Sequence, residues 1–190
     1  LGSNAKSLDP SALGERFTGW AHGAVVNIVE EIRIKGDDKW RIMDRLKPFI
    51  TNSMIQIEEK GRDHRTVPNF TNYLLLTNYK DALPITNDDR RFCVMYGRIQ
   101  NEQELFDYFG GRDATGDYFE HLFAESEKHA GVIKSFLLNY KISDEFKASG
   151  RAPDTSSRQA MIQATISPEQ CSVEDLINKH ERGVINGRIL

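Results

Sequence analysis

Two adjacent glutamates, Glu30 and Glu31, close the β-branched run Ala24-Val25-Val26-Asn27-Ile28-Val29. A run of this kind reads as a buried parallel strand, which puts the two carboxylates at its carboxyl end, where α/β sheets offer side chains to ligands. A carboxylate withdrawn from water needs a cation or hydrogen-bond donors, and this points to a metal ion or an activated water. A strand that simply surfaces would instead leave both acids solvated. A second apolar run, Tyr73 to Leu76, stops at Thr77-Asn78, and a turn-rich segment then leads to Arg90-Arg91. In this order the residue types suit hydrolysis of a nucleoside triphosphate. One carboxylate holds Mg²⁺ through its water shell, and the other orients or deprotonates the attacking water. The polar tip of the neighbouring strand hydrogen-bonds that water or the γ-phosphate. An arginine from across a subunit boundary neutralises charge as phosphoryl transfer proceeds.

These side chains need a scaffold, and the chain between them supplies its parts. Gly36-Asp37-Asp38 opens a helix with Trp40, Met43 and Leu46 on one face, which Pro48 is expected to end. Met54-Ile55-Gln56-Ile57-Glu58 alternates as an exposed strand does, and Thr66 to Phe70 returns as the second arm of a hairpin. The hairpin tip carries Lys60, Arg62 and Arg65 among acids. It is either a solvated turn or a contact for a polyanion. Upstream, Leu8 to Trp20 predicts a helix with Asp9-Pro10 as cap and first-turn proline. Downstream, Phe92 to Tyr96 predicts a last strand with Cys93 in its core.

After Gly97 the pattern turns helical. Asn101 and Glu104 form a capping-box pattern, and Gly110-Gly111 a stop. Tyr118, Phe119, Leu122 and Phe123, then Val132, Ile133, Phe136 and Tyr140, share helical faces and read as core rather than as a base-stacking platform. Lys147 to Ser156 reads as a loop. Short helices are expected through Met161-Ile162 and from Ser172 along Val173, Leu176 and Ile177, with helix-start chemistry at Ser167 to Gln170.

The 190 residues carry a net charge of -3, so there is no global basic field, and any nucleic-acid contact must be local. No apolar run approaches the ~20 residues of a membrane helix, and the expectation is a soluble, cytoplasmic protein. The two cysteines, Cys93 and Cys171, are expected to be reduced, and the five histidines have no metal-site spacing. Leu1 to Ala5 resembles an expression-tag remnant.

V-V-N-I-V-E-E, L-K-P-F-I-T, I-E-E-K-G, L-L-L-T-N and D-D-R-R-F together resemble the C-terminal half of the ATPase of superfamily 3 helicases, above all the phage and plasmid primase-helicases. The likeness covers about Leu8 to Met95, and A-P-D-T-S-S-R-Q-A-M-I resembles the helical tail of phage members. It implies a partial AAA+-like P-loop NTPase sheet of α/β class, followed by an all-α C-terminal region. The expected division is 1–7 tag or disordered, 8–97 ATPase core and 98–190 helical region. The implied parent is a hexameric ring that couples ATP hydrolysis to unwinding of single-stranded or forked DNA; such rings are often fused to a primase or polymerase module, and whether one is attached here stays open. On this resemblance Glu30 and Glu31 match the Walker B acids, with Mg²⁺ held through water by Glu30. Asn78 matches sensor 1, and Arg90 or Arg91 matches the arginine finger. Lys60, Arg62 and Arg65 fall in the DNA-channel hairpin, and Lys47 falls between it and the acids. Which glutamate is the base and which arginine is the finger stay open.

The chain has no G-x-x-x-x-G-K-[ST] and no Gly-Lys pair. In the family that loop precedes the Walker B strand, so the expectation is a truncated piece rather than a degenerate enzyme. The piece alone would bind no ATP or Mg²⁺, and its sheet would have an open edge. The alternative is a non-catalytic DNA-binding or oligomerisation module of a mobile-element replication protein.

Overall fold

The computed structural model describes residues 2–34, 36, 39–147 and 150–165. These divide into two units. The first holds the residues up to Val94 together with those from Ala152 onward, and the second is Met95–Arg151.

The first unit is built on a parallel three-stranded sheet, ordered β1 (Ala5–Leu8), β2 (Val26–Val29), β5 (Asn72–Leu75). The β-branched residues of β2 earn it the central place, with Ala5 opposite Val26 on one side and Asn72 opposite Val26 on the other. Thr71 is buried and fixes the start of β5, its hydroxyl donating to the carbonyls of Ala21 (3.1 Å) and Ala24 (2.8 Å). Outside β2 and β5 the chain between them forms helix α1 (Lys39–Thr51) and the antiparallel hairpin β3 (Met54–Ile57) and β4 (Arg65–Pro68). Met43, Leu46 and Phe49 of α1, Ile55 and Ile57 of β3, and Val67 of β4 are buried with Val29 and Ile32.

Several expectations are corrected here. The opening residues belong to the fold, since Ala5-Lys6-Ser7-Leu8 pairs along β2; nothing in this weakly β-forming tetrapeptide announces a strand, and only the long-range partner makes it one. Leu8 to Trp20 forms no α-helix but two 3₁₀ turns, Pro10–Leu13 and Gly19–Ala21. Gly14 and Gly19 weaken a helix there, and Thr18 is engaged elsewhere, its N–H donating to the Glu58 carbonyl at 2.9 Å. Pro48 lies inside α1 rather than at its end, and Trp40 stays 42% exposed while Phe49 takes the buried position. Among the described residues, Phe92 to Tyr96 pairs with no strand. Its alternation survives, with Phe92 and Val94 buried and Cys93 exposed, because the Arg90 carbonyl accepts from Ala152 N–H (2.9 Å) and the Val94 carbonyl from the Thr155 hydroxyl.

Helix α5 (Ser156–Thr165) begins at Thr155, whose hydroxyl accepts from Arg158 N–H, and it buries Arg158, Met161 and Ile162. It therefore belongs with the sheet and not with a continuous helical region.

The second unit contains α2 (Glu102–Phe109), α3 (Arg112–Lys128) and α4 (Ala130–Asn139). The capping box forms: Asn101 accepts from Glu104 N–H at 2.9 Å, and the Glu104 carboxylate accepts from Gln100 N–H at 2.9 Å. Gly110, at φ 87°, closes α2 in the left-handed region. Among the described residues the aromatics pack on one another, Phe109 lying 4.3 Å from Tyr118 between ring centres, but they do not form the expected buried core. Phe123 is 66% and Phe136 63% exposed, Tyr118, Leu122, Val132, Ile133 and Tyr140 are exposed too, and of the described residues in these helices only Thr115 is buried. Periodicity marks which face a helix would bury but does not supply the layer that covers it. Asp37, Asp38, Cys171, the Ser167 to Gln170 helix start and the helix expected from Ser172 lie outside the described residues. Among the described residues no helix is long and apolar enough to cross a membrane.

Candidate functional site

At the carboxyl end of β2 the ladder slips by one residue. Val29 accepts from Leu76 N–H at 2.9 Å, and the Leu76 carbonyl accepts from Ile32 N–H at 2.9 Å. In a regular parallel pair that second donor would be Glu31. The extra residue makes a β-bulge of Glu30-Glu31, and Glu31 takes φ 55°, the only non-glycine left-handed residue among those described. Both glutamates are exposed. The bulge is bonded to Leu76, and Thr77-Asn78 follow in the loop after β5, so Glu30, Glu31 and Asn78 lie just beyond the carboxyl ends of one strand pair.

Past the bulge the two segments stay joined. Ile34 N–H donates to the Ala82 carbonyl at 2.9 Å, and Arg33 Nη2 lies 2.9 and 2.8 Å from the two Asp81 carboxylate oxygens. The same guanidinium stacks 3.7 Å from the centre of the Tyr79 ring. Thr77 Oγ1 accepts from Tyr79 N–H at 3.1 Å, which turns the chain at Asn78 and leaves that side chain exposed.

The two arginines are not equivalent. Arg91 is tied to the buried carboxylate of Asp89, its N–H donating at 2.8 Å and its Nη1 at 3.3 Å. Arg90 is exposed, and among the described residues no hydrogen bond or ion pair joins its side chain to Glu30, Glu31, Asn78 or any other group. Its loop is gripped by Arg158, which is 2% exposed. Arg158 Nη2 donates to the carbonyls of Thr86 (2.8 Å), Asn87 (3.0 Å) and Asp89 (2.7 Å), while Nη1 donates to Asp154 at 3.0 Å. Residue-type reasoning missed Arg158. The available signal was its place on the apolar stripe of α5, three and four residues before Met161 and Ile162.

On the hairpin, Arg62 and Arg65 both pair with Glu59, at 3.1 and 3.2 Å, while Lys60 is exposed at the tip beside Gly61. Glu58 is held by Arg16 at 2.6 Å. Lys47 pairs with Asp44 at 2.6 Å. Thus two of the three hairpin cations share one carboxylate, and Lys60 is left at the tip.

Behind the site, Tyr73 is the cross-strand neighbour of the fully buried Asn27 and meets Trp20 edge-on at 6.2 Å. Its hydroxyl, the Asn27 side-chain oxygen Oδ1 and the Trp20 indole nitrogen are buried without hydrogen-bond partners among the described residues. Burial pushes the Tyr73 hydroxyl up to about 12.

No cluster of three or more metal-ligating side chains occurs among the described residues. Two exposed carboxylates at a strand end nevertheless fit Mg²⁺, which keeps its waters and takes one or two carboxylates plus phosphate oxygens.

Residues 1–91 match the model of a family of unknown function, DUF5906. No curated protein matches the chain. Among solved structures it is similar to the apo C-terminal region of NrS-1 (305–718), with a TM-score of 0.67 and 16% identity over 99% of this chain and 46% of that one. A second structure of that region, its A form, gives 0.61 and 14% over 95% and 40%. A third, also the A form (305–718), gives 0.54 and 16% over 98% and 44%. The chain thus shares the fold of these structures and spans less than half their length.

Proposed function

We propose that this chain is part of a phage-type replicative helicase that couples ATP hydrolysis to DNA unwinding, and that it carries the Walker B, sensor 1 and arginine-finger segments of an AAA+-like site. The observation that carries this reading is the bulged end of the β2–β5 pair, where two acids and Asn78 leave adjacent parallel strands together. The likeness to the NrS-1 C-terminal region supports it at the level of fold. Mg²⁺–nucleotide, when bound, supplies the reacting phosphoryl group and its charge neutralisation. Glu30 would meet the metal through its water shell. Glu31 would take a proton from the attacking water, and Asn78 would donate a hydrogen bond to that water or to the γ-phosphate. Arg90, not Arg91, serves the neighbouring subunit, since Arg91 is already bound to Asp89.

The test is steady-state hydrolysis by the full-length protein. Glu30→Gln and Glu31→Gln should each lower kcat by about 100-fold or more. Unchanged turnover in both variants would sink the reading.

A second reading, an oligomerisation module, has one observation in its favour. The α3 and α4 helices expose Phe123, Phe136, Leu137 and Leu138, all above 60%, and apolar surface on that scale is usually covered by a partner.

A further inference from the structure

We infer that Arg158 is a positioning residue that sets the geometry of Arg90, an inference that rests on the proposed role of Arg90. A buried guanidinium is costly unless its donors are satisfied, and here a single side chain spans four acceptors: three main-chain carbonyls and Asp154. The three carbonyls belong to Thr86, Asn87 and Asp89, the residues that lead into Arg90. Arg158 therefore fixes the loop backbone and not the arginine itself. A second tie works from the other side of Arg90, whose carbonyl accepts from Ala152 N–H at 2.9 Å. A third joins Asp89 to Arg91. The outcome is a loop held at 86, 87, 89, 90 and 91, with Arg90 as its exposed cation. Fixed backbone with one projecting cation is the arrangement that a finger acting across a subunit boundary requires, because its tip must reach a charge that develops only in the transition state. Lysine cannot replace Arg158. Its single ammonium keeps the charge but cannot hold carbonyls and a carboxylate on two separate nitrogens.

The experiment has two arms. Amide hydrogen exchange on the 190-residue chain compares wild type with Arg158→Lys. Exchange at Asp89 and Arg91 should quicken about 10-fold or more, with protection in β2 and β5 unchanged. Unchanged exchange at these two amides overturns the clamp whatever the activity. If Arg158→Lys also loses protection in β2 and β5, Asp154→Asn, which weakens one bond to Arg158 from the solvent side, is read by the same criterion. In the full-length protein, Arg158→Lys should lower kcat about 10-fold with KM for nucleotide little changed, and should cost less than about 2-fold when Arg90→Ala is already present. The same loss in both backgrounds overturns the positioning role. Full kcat in Arg90→Ala overturns the reading of Arg90 itself, an outcome distinct from failure of the clamp.

Discussion

Arg33 Nη2 sits 2.9 and 2.8 Å from the two oxygens of Asp81 while its guanidinium lies against Tyr79, so one side chain joins the exit of the glutamate bulge to the loop after Asn78. Arg33 and Asp81 are about one-third exposed, so solvent screens the pair. Arg33→Ala should cost only about 1 kcal/mol in denaturant unfolding. Its effect on turnover in the full-length protein should be larger than that cost, because the loop bearing Asn78 is released. A large stability loss with normal turnover would show that the pair holds the fold and not the site.

Glu31 pays for its left-handed backbone, a conformation that costs a non-glycine residue about 1–2 kcal/mol. Glu31→Gly should leave stability unchanged or raise it by up to about 1 kcal/mol, even as it removes the carboxylate. Glu31→Val, with a branched Cβ, should destabilise. Thermal melts of the pair decide it: a Glu31→Gly protein clearly less stable than wild type would argue that the residue is not held at positive φ.

Because Arg91 neutralises the buried Asp89 and the Arg90 side chain has no partner among the described residues, the two arginines should separate cleanly. Arg91→Ala strands a buried carboxylate and should cost about 3 kcal/mol in unfolding. Arg90→Ala should be neutral in stability yet poison hydrolysis when mixed into wild-type assemblies of the full-length protein. Loss in simple proportion to dilution would argue against action between subunits.

The Tyr73 hydroxyl ionises near 12 in the folded chain against an ordinary value of 10.0. The neutral form is the one the fold prefers, so this contribution is fully present below pH 10 and is lost as pH rises towards 12. Tyr73→Phe should flatten the fall in unfolding free energy between about pH 10 and 12. It should cost little at neutral pH, since the hydroxyl has no hydrogen-bond partner among the described residues to lose. An alkaline slope that persists in Tyr73→Phe would place its origin elsewhere.

Glu59 holds Arg62 and Arg65 on the hairpin. If the tip contacts DNA, Glu59→Gln should tighten single-strand binding, and removing Lys60, Arg62 and Arg65 together should reduce the log–log salt slope by about 2. Anisotropy titrations over a salt series measure both. A slope indifferent to all four side chains would remove the hairpin from the interface.

The sequence by itself determined whatever is written in neighbouring residues. The strand closed by Glu30-Glu31, the hairpin around Lys60, the capping box at Asn101 and the glycine stop at Gly110 rest on local propensity, and each appears in place. It also placed Glu30, Glu31 and Asn78 at strand ends. Only the tertiary structure decided that Ala5–Leu8 is a strand, since its partner β2 lies about twenty residues away. The bulge at Glu31 likewise depends on Leu76 bonding to Val29 and Ile32, a pairing no local window contains. Arg90 and Arg91 are alike as letters, and what distinguishes them is Asp89 beside one and a clamp from Arg158, some seventy residues on. A buried charge is legible only where its partners are; Asp154, four residues before Arg158, is visible as a letter, but the other three partners are main-chain carbonyls, which every sequence has and none reveals.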